Sequence, residues 1–332
     1  MSLAIVITVV VVALLFDYTN GFHDAANAIA SAVSTRALTP RVALAIAAIA
    51  NLFGALLSTG VAVTIAASII EPPSGARGLA VVLAALVGAI VWNFTTWYFG
   101  LPSSSSQALI GGLVGAGLAS HSEIHWMSGV IGKVIVPMII SPVIGLVLGY
   151  SLMIIALWAL RRANPHRVDR GFRIAQIFSA TSLALGHGLQ DAQKGMGIIV
   201  LALVTAGYQS DFVVPVWTML LCATALAAGT YSGGRRIMRT IGRRIFPLRP
   251  VHGFVAEATA SSVLYLTAFV VAAPISTTQV MTASVMGVGS TRRLRAVHWG
   301  VAREIGLAWV LTLPAAALIG AVAYPLALLL VP

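Results

Sequence analysis

The chain alternates long apolar runs with short polar interruptions. In the first half the runs cover about 3–35, 42–70, 79–99, 102–119 and 128–160; in the second they cover about 174–207, 212–232, 252–273, 274–290 and 301–331. Runs such as 42–70 and 128–160 exceed the roughly 20 residues a helix needs to cross a bilayer. None shows the strict alternation of a membrane strand, so the spans are predicted to be helices that satisfy their own backbone groups. Loops fall at Glu71-Pro72-Pro73-Ser74-Gly75, at His121-Ser122-Glu123, at Asn164-Pro165 and at 247–250. The pattern predicts an all-α polytopic membrane protein of about 10–12 transmembrane or re-entrant helices. The runs 102–119 and 274–290 are the short ones that suit re-entrant segments.

Two polar phrases recur inside this apolar background. Gly21-Phe22-His23-Asp24-Ala25-Ala26-Asn27 is echoed by Gly188-Leu189-Gln190-Asp191-Ala192-Gln193-Lys194, and Pro102-Ser103-Ser104-Ser105-Ser106-Gln107 by Pro274-Ile275-Ser276-Thr277-Thr278-Gln279. Asp24 and Asp191 are 167 positions apart and Ser104 and Ser276 are 172 apart. Two motifs in one order at nearly one offset indicate a duplicated chain. The expected division is a first repeat over 1–160, a basic linker over 161–173, and a second repeat over 174–332 that contains a basic loop at 233–250. Five crossings per half, an odd number, would make the second repeat inverted, as in many secondary transporters.

Composition and charge sharpen this picture. Hydrophobic residues make up 59% of the chain and charged residues 9%, against roughly 25% charged in a soluble domain. The net charge of +11 could suggest nucleic acid, but 17 of the 20 Lys and Arg gather at Arg36/Arg41, at 161–173, at 235–249 and at 292–303. Segregation into alternate loops follows the positive-inside rule, so the basic balance reports orientation and no nucleic-acid partner is expected. This puts those clusters in the cytoplasm, Glu71, Glu123 and Asp211 in outer loops, and both termini outside, as in a multi-pass protein of a bacterial plasma membrane. Cys222 is the only cysteine, which excludes an intrachain disulfide and a Cys-based metal site. The first run lacks a basic leader region and is read as part of the mature fold rather than a cleaved signal.

The phrases then carry the chemistry. An aspartate in hydrocarbon is costly, so Asp24 and Asp191 must face a polar cavity or a partner. Asn27 and Lys194 stand three positions further on, on the same helical face. Gly21 and Gly188 are expected to let the helices break there. The Ser/Thr phrases, Ser104, Ser105, Ser106 and Gln107 with Ser276, Thr277, Thr278 and Gln279, each precede a small-residue helix (Gly111 and Gly115; Ala283 and Gly287). Placed at half-helix N-termini, their hydroxyls, free N–H groups and positive dipole ends can surround a tetrahedral oxyanion. The bland alternative is that these hydroxyls bond back to their own helices. Lys194 can touch such an anion or neutralise Asp191 or Asp24. A carboxylate beside an oxyanion accepts a hydrogen bond from a protonated ligand, carries a proton or holds a cation; all three favour phosphate over sulfate. No bound cofactor is expected.

At these residues the chain resembles the inorganic phosphate transporter (PiT) family. The 21–27 phrase looks like its first signature in the His-containing bacterial form. Trp92-Asn93, the stretch Trp97-Tyr98-Phe99-Gly100-Leu101 leading into the serine run, His187-Gly188 and Pro274 to Thr278 resemble further family motifs. The resemblance implies cation-coupled phosphate symport by alternating access, with substrate between the two Ser/Thr runs and the motif aspartates beside a proton or Na+. It also makes Glu257 a transport residue, against the reading of an interfacial Glu near the inner Arg loop. Gln190 replaces the Asn that many members have before the second Asp, and Gln107 and Gln279 replace a His; of these, Gln190 and His23, which stand where sodium-coupled members have Asn before each Asp, point to proton rather than sodium coupling. His23 is titratable and can join a proton path, or cap a broken helix. The bacterial type further implies that phosphate can travel as a Mg2+ complex, and a homodimer is compatible with it.

Three rival readings follow from the same features. A sulfate permease of the same family would use the same pocket. A membrane-embedded lipid-pyrophosphate phosphatase would need an Arg or a base beside the serines, and neither run contains Arg. A passive anion channel leaves the paired aspartates unexplained.

Overall fold

The computed structural model describes residues 3–233, 237–238, 240–292 and 297–330. Arg235, Arg236, Arg239, Arg293 and Arg295 of the basic clusters lie outside the described residues. The first half comprises α1 (Leu3–Ser34), α2 (Pro40–Gly54), α3 (Gly60–Ser68), α4 (Ala76–Phe99), α5 (Ser105–Ala119) and α6 (Val136–Ala159), the last preceded by a π-helical stretch Trp126–Ile135. The second half comprises α7 (Pro165–Thr205), α8 (Val216–Ser232), a π-helical turn Thr240–Arg244, α9 (Pro250–Leu266) widening into a π-helical end Thr267–Val271, α10 (Thr277–Ser290) and α11 (Trp299–Leu330). Pro40, Pro165 and Pro250 stand at helix starts, where the missing N–H costs nothing. Gly100 ends α4 in the left-handed conformation, φ 67°. The stretches Leu3–Ser34, Ala76–Phe99, Trp126–Ala159, Pro250–Val271 and Trp299–Leu330 are long and apolar enough to cross a membrane. The chain is an all-α, multi-pass membrane protein.

Two sequence expectations are corrected. The helices do not break at the motif glycines: α1 and α7 run unbroken through both phrases. Gly21 and Gly188 serve close approach instead. A Cβ on Gly21 would enter the Leu226 carbonyl of α8, and one on Gly188 would enter the Asn51 backbone of α2. The break falls in the run 42–70, which divides into α2 and α3. The basic stretch 161–173 is largely the first turns of α7, whose N-cap Asn164 accepts from the His166 N–H at 3.0 Å.

Charge separates between the two ends of the molecule. The loop after α3 and the loop after α5 join as a two-residue antiparallel pairing, Ile70 opposite Ile124 and Glu71 opposite Glu123, and the Gly75 N–H donates to Thr205 O at the end of α7. At the other end Arg249 contacts Asp169 at 3.1 Å, and Thr35, after α1, donates to Gln176 at 2.7 Å. So α1 finishes near where α7 begins, and these two helices run antiparallel.

The helices α5 and α10 are short, 15 and 14 residues. At 1.5 Å per residue they reach about 22 Å, less than the ~30 Å hydrocarbon core. Each turns back against the helix before it. α5 sits between α4 and α11; α10 sits between α6 and α9. Gly111 and Gly115 bring α5 against the Leu313 and Ala317 carbonyls of α11, and Gly287 brings α10 against Leu146 of α6. One apolar core joins the N-terminal half of α1 with α3, α4, α5, α8 and the C-terminal half of α7; another joins α6, α9 and α10. The polar residues of α1 and α7 lie between them.

Candidate functional site

Because α1 and α7 stay helical through the motifs, the motif side chains project at fixed helical spacings and meet where the two helices cross. Asp24 and Asp191 are both buried. Asn20, one turn before Asp24, joins them: with its amide nitrogen turned inward, that nitrogen lies 2.7 Å from Ser105 Oγ, 3.0 Å from Asp24 Oδ2 and 3.2 Å from Asp191 Oδ2. His187 holds the equivalent place before Asp191, with Nε2 3.2 Å from Asp191 Oδ2 and Nδ1 3.2 Å from Asn51 Oδ1. Asn51 in turn donates to Thr230 at 2.8 Å.

Both Ser/Thr phrases reach this crossing. Ser104 is the N-cap of α5 and accepts from the Gln107 N–H; Ser276 is the N-cap of α10 and accepts from the Gln279 N–H, each at 3.2 Å. Those two hydroxyls are therefore committed to their own helices. The next residues are not. Ser105 donates to Asp24 Oδ2 at 2.9 Å and accepts from Lys194 Nζ at 2.9 Å. Thr278 donates to Asp24 Oδ1 at 3.1 Å and accepts from Asn27 at 2.6 Å. Ser106 donates to Ile275 O at 2.9 Å, so one phrase holds the backbone of the other. Lys194 Nζ also lies 2.9 Å from Asp191 Oδ1.

The remaining predicted residues divide. His23 is at the site, with Nδ1 2.8 Å from Asp24 Oδ1 and Nε2 3.2 Å from Thr96 Oγ1; Thr96 in turn lies 2.8 Å from Ser103. Gln190 points away from the aspartates and donates to Thr267 at 3.0 Å. Glu257 is not beside Asp24 or Asp191 either. It is fully buried towards the basic end, where Ser31, Ser179 at 2.5 Å and Gln176 at 3.1 Å donate to it. Thr277 Oγ1 and the side-chain oxygens of Asn27, Gln107 and Gln279 are buried without a partner, leaving acceptors around the crossing for a ligand that carries its own proton or N–H.

Asn20, Asn51, Thr96 and Asp17 are site or near-site residues that the motifs did not single out. Asn20 and Asp17 were legible as spacing: 17, 20, 24, 27 and 31 follow one another at intervals of three and four, the stripe of a single helix face. His187 was legible as the counterpart of Asn20 at the 167-residue offset.

The charge of the crossing limits what it can bind. The Asp24 and Asp191 carboxylates with the Lys194 ammonium carry a formal net −1, so an oxyanion enters favourably only with protons or a cation. Ligand atoms of Asp24, Asp191 and His187 lie within 4.8 Å of one another. Two are carboxylate oxygens suited to a hard cation, while the third is an imidazole nitrogen, which is not. Lys194 already occupies a cationic position against Asp191.

A profile of the Phosphate transporter family matches the chain twice, over residues 20–170 and over 161–320. This chain belongs to the phosphate transporter family. Members close to it include a "Probable low-affinity inorganic phosphate transporter" of Bacillus subtilis (strain 168), 43% identical over 325 residues and covering 97% of each chain. One of the same name from Rhizobium meliloti (strain 1021) is 47% identical over 329 residues, covering 98% of this chain and 97% of its own. A solved structure, "The sodium-dependent phosphate transporter", superposes with a TM-score of 0.90 over 98% of this chain and 99% of that one; at 22% identity this shows the shared fold. Within the phosphate transporter family frame, the two profile matches each take in one Asp phrase and one Ser/Thr phrase.

Proposed function

We propose that this chain imports inorganic phosphate across a bacterial plasma membrane as a secondary active symporter, working as a carrier and not as an enzyme. The observation that carries the reading is the meeting of two Ser/Thr helix N-termini with Asp24, Asp191 and Lys194. The amides of Ser105 and Ser106, and of Thr277 and Thr278, fall in first turns outside the helical ladder, where an anion is favoured. Lys194 supplies a further donor, and the Ser105 and Thr278 hydroxyls can turn to the anion from the Asp24 oxygens they hold, with Ser106, Asn27 and Gln279 nearby. Phosphate near neutral pH keeps a proton that a carboxylate can accept in a hydrogen bond, and sulfate does not. The net −1 of the empty cluster makes co-binding of positive charge a condition of anion binding, which is the physical content of symport.

Protons are the coupling ions in this proposal. His23 bonded to Asp24, and Lys194 already paired with Asp191, support it. The two halves form an inverted repeat, both termini face outward, and Glu257 and Gln190 act on flanking surfaces of the moving elements. A second reading, sodium coupling, is favoured by the mutual approach of Asp24 and Asp191 around Asn20, an oxygen-rich pair that fits Na+ near both aspartates.

Uptake of radiolabelled phosphate into proteoliposomes tests this. An imposed pH gradient should drive accumulation, a sodium gradient alone should not, and excess sulfate should compete weakly. Accumulation under sodium alone would shift the coupling to the second reading. Magnesium should be varied in parallel, since the metal–phosphate complex would be cargo of the same site. Sulfate displacing phosphate completely would overturn the substrate.

A further inference from the structure

Seven residues before Asp24 stands a third carboxylate of the α1–α7 region that the phosphate site does not use. Asp17 is fully buried, and neither of its oxygens makes a well-formed hydrogen bond. Two helical turns place it about 10 Å along α1 from Asp24, on nearly the same face. Since α1 runs from the acidic-loop end towards the basic end, Asp17 lies on the acidic-loop side of the crossing.

Its surroundings are tightly built. On α7 it faces Gly195, next to Lys194, and a Cβ there would collide with the carboxyl group. On α8 it faces Cys222, itself buried in the apolar core. The charged groups bearing on it, among the described residues, are Lys194 and Asp191 of α7. A carboxylate kept ionised at membrane depth needs a partner. Among the described residues no cation lies within ion-pair distance of Asp17, while the two carboxylates one layer away share Lys194, Asn20, Ser105 and two imidazoles. At the 167-residue offset its counterpart is Ala184, so the second copy has nothing equivalent.

We propose that Asp17 is a proton-binding site of the transport cycle, loaded from the acidic-loop side and emptied when the site opens to the other side. This rests on the phosphate-symport reading above. The stripe Asp17, Asn20, Asp24, Asn27 and Ser31 is then the face of α1 along which charge is balanced. Asp24 balances it against phosphate, and Asp17 carries a proton that phosphate does not touch. The site takes a bare proton: the groups facing the carboxyl, the Cys222 thiol and the Gly195 backbone, do not replace the oxygen shell of a metal cation.

The test uses Asp17→Asn, which mimics the permanently protonated group, and Asp17→Ser as a smaller second variant should the amide fold poorly. Wild type and variants are reconstituted, and phosphate accumulation under an imposed pH gradient is compared with phosphate/phosphate exchange at equal pH. Each coupled proton contributes about tenfold to the limiting accumulation ratio per unit of pH gradient. The expected result is that Asp17→Asn keeps exchange within about twofold of wild type, loses that tenfold in accumulation and binds one proton fewer per phosphate. Asp17→Glu should restore it. Unchanged pH-driven accumulation and proton stoichiometry in folded Asp17→Asn or Asp17→Ser would overturn the proposal while leaving symport standing. Wild type that fails to concentrate phosphate at all would instead overturn the reading on which the proposal rests.

Discussion

Removing Lys194 offers the sharpest test of the crossing. Its ammonium lies 2.9 Å from Asp191 Oδ1 and 2.9 Å from Ser105 Oγ, with both side chains buried. Lys194→Gln deletes the only cation of the cluster and leaves Asp191 uncompensated beside Asp24. Breaking a buried pair by removing one partner costs about 3–5 kcal/mol, chiefly because a bare charge stays behind. At roughly 2 °C per kcal/mol for a chain of this size, that corresponds to a fall of about 6–10 °C in melting temperature. Asp191→Asn made on top of Lys194→Gln removes the orphaned charge, so the double variant should recover most of this stability, giving a coupling energy of about 3 kcal/mol, the upper range for contacting residues. The assay is thermal unfolding in detergent followed by tryptophan fluorescence or size exclusion, paired with phosphate uptake. Uptake should be lost in both variants, because the double variant regains the fold and not the donor. A Lys194→Gln protein as stable as wild type, or a double variant no more stable than Lys194→Gln, would refute the charge argument.

Other substitutions separate chemistry from packing. Asp24→Asn retains acceptor oxygen for Ser105 or Thr278 but removes the charge, so uptake should vanish while the melting temperature moves little; wild-type transport would remove Asp24 from the site. His23→Gln gives the first motif the side chain of the second, and Gln can reach Thr96 as Gln190 reaches Thr267. Loss of the bond to Asp24, worth about 1.5–3 kcal/mol, should slow initial uptake by roughly 10- to 100-fold without unfolding the protein. Gly188→Ala should abolish folded protein on size exclusion, because the added methyl enters the Asn51 backbone and separates α2 from α7; a well-folded, active variant would show that the contact is soft.

Much of this was legible in the sequence, for physical reasons that also explain what was not. Apolar runs report membrane helices because the bilayer demands both length and internal backbone bonding. Duplication was visible because Asp24 and Asp191, and Ser104 and Ser276, kept their order and offset. The proximity of Ser105 to Asp24 and of Lys194 to Asp191 followed from that pairing. Glycine misled: before a polar phrase it suggested a broken helix, whereas Gly21 and Gly188 are there to let α8 and α2 approach. Glu257 was grouped with the coupling aspartates on the family resemblance, which carries no depth. Its seat with Ser31, Ser179 and Gln176 depends on three helices packing. Asp17 was missed because it sits outside the repeated phrase, although its seven-residue spacing from Asp24 was available.

The unbroken course of α1 and α7 has a consequence for genetics. Their backbone groups are spent on helical bonds, so everything these helices offer a ligand is a side chain and can be erased by one codon. The short helices α5 and α10 start at the crossing of α1 and α7, where their first amides remain outside the ladder, and no substitution short of proline removes those. A scan of single substitutions should therefore light up the Asp phrases strongly and the Ser/Thr phrases weakly. That contrast would measure how each half-helix contributes, and would say little about which one matters more.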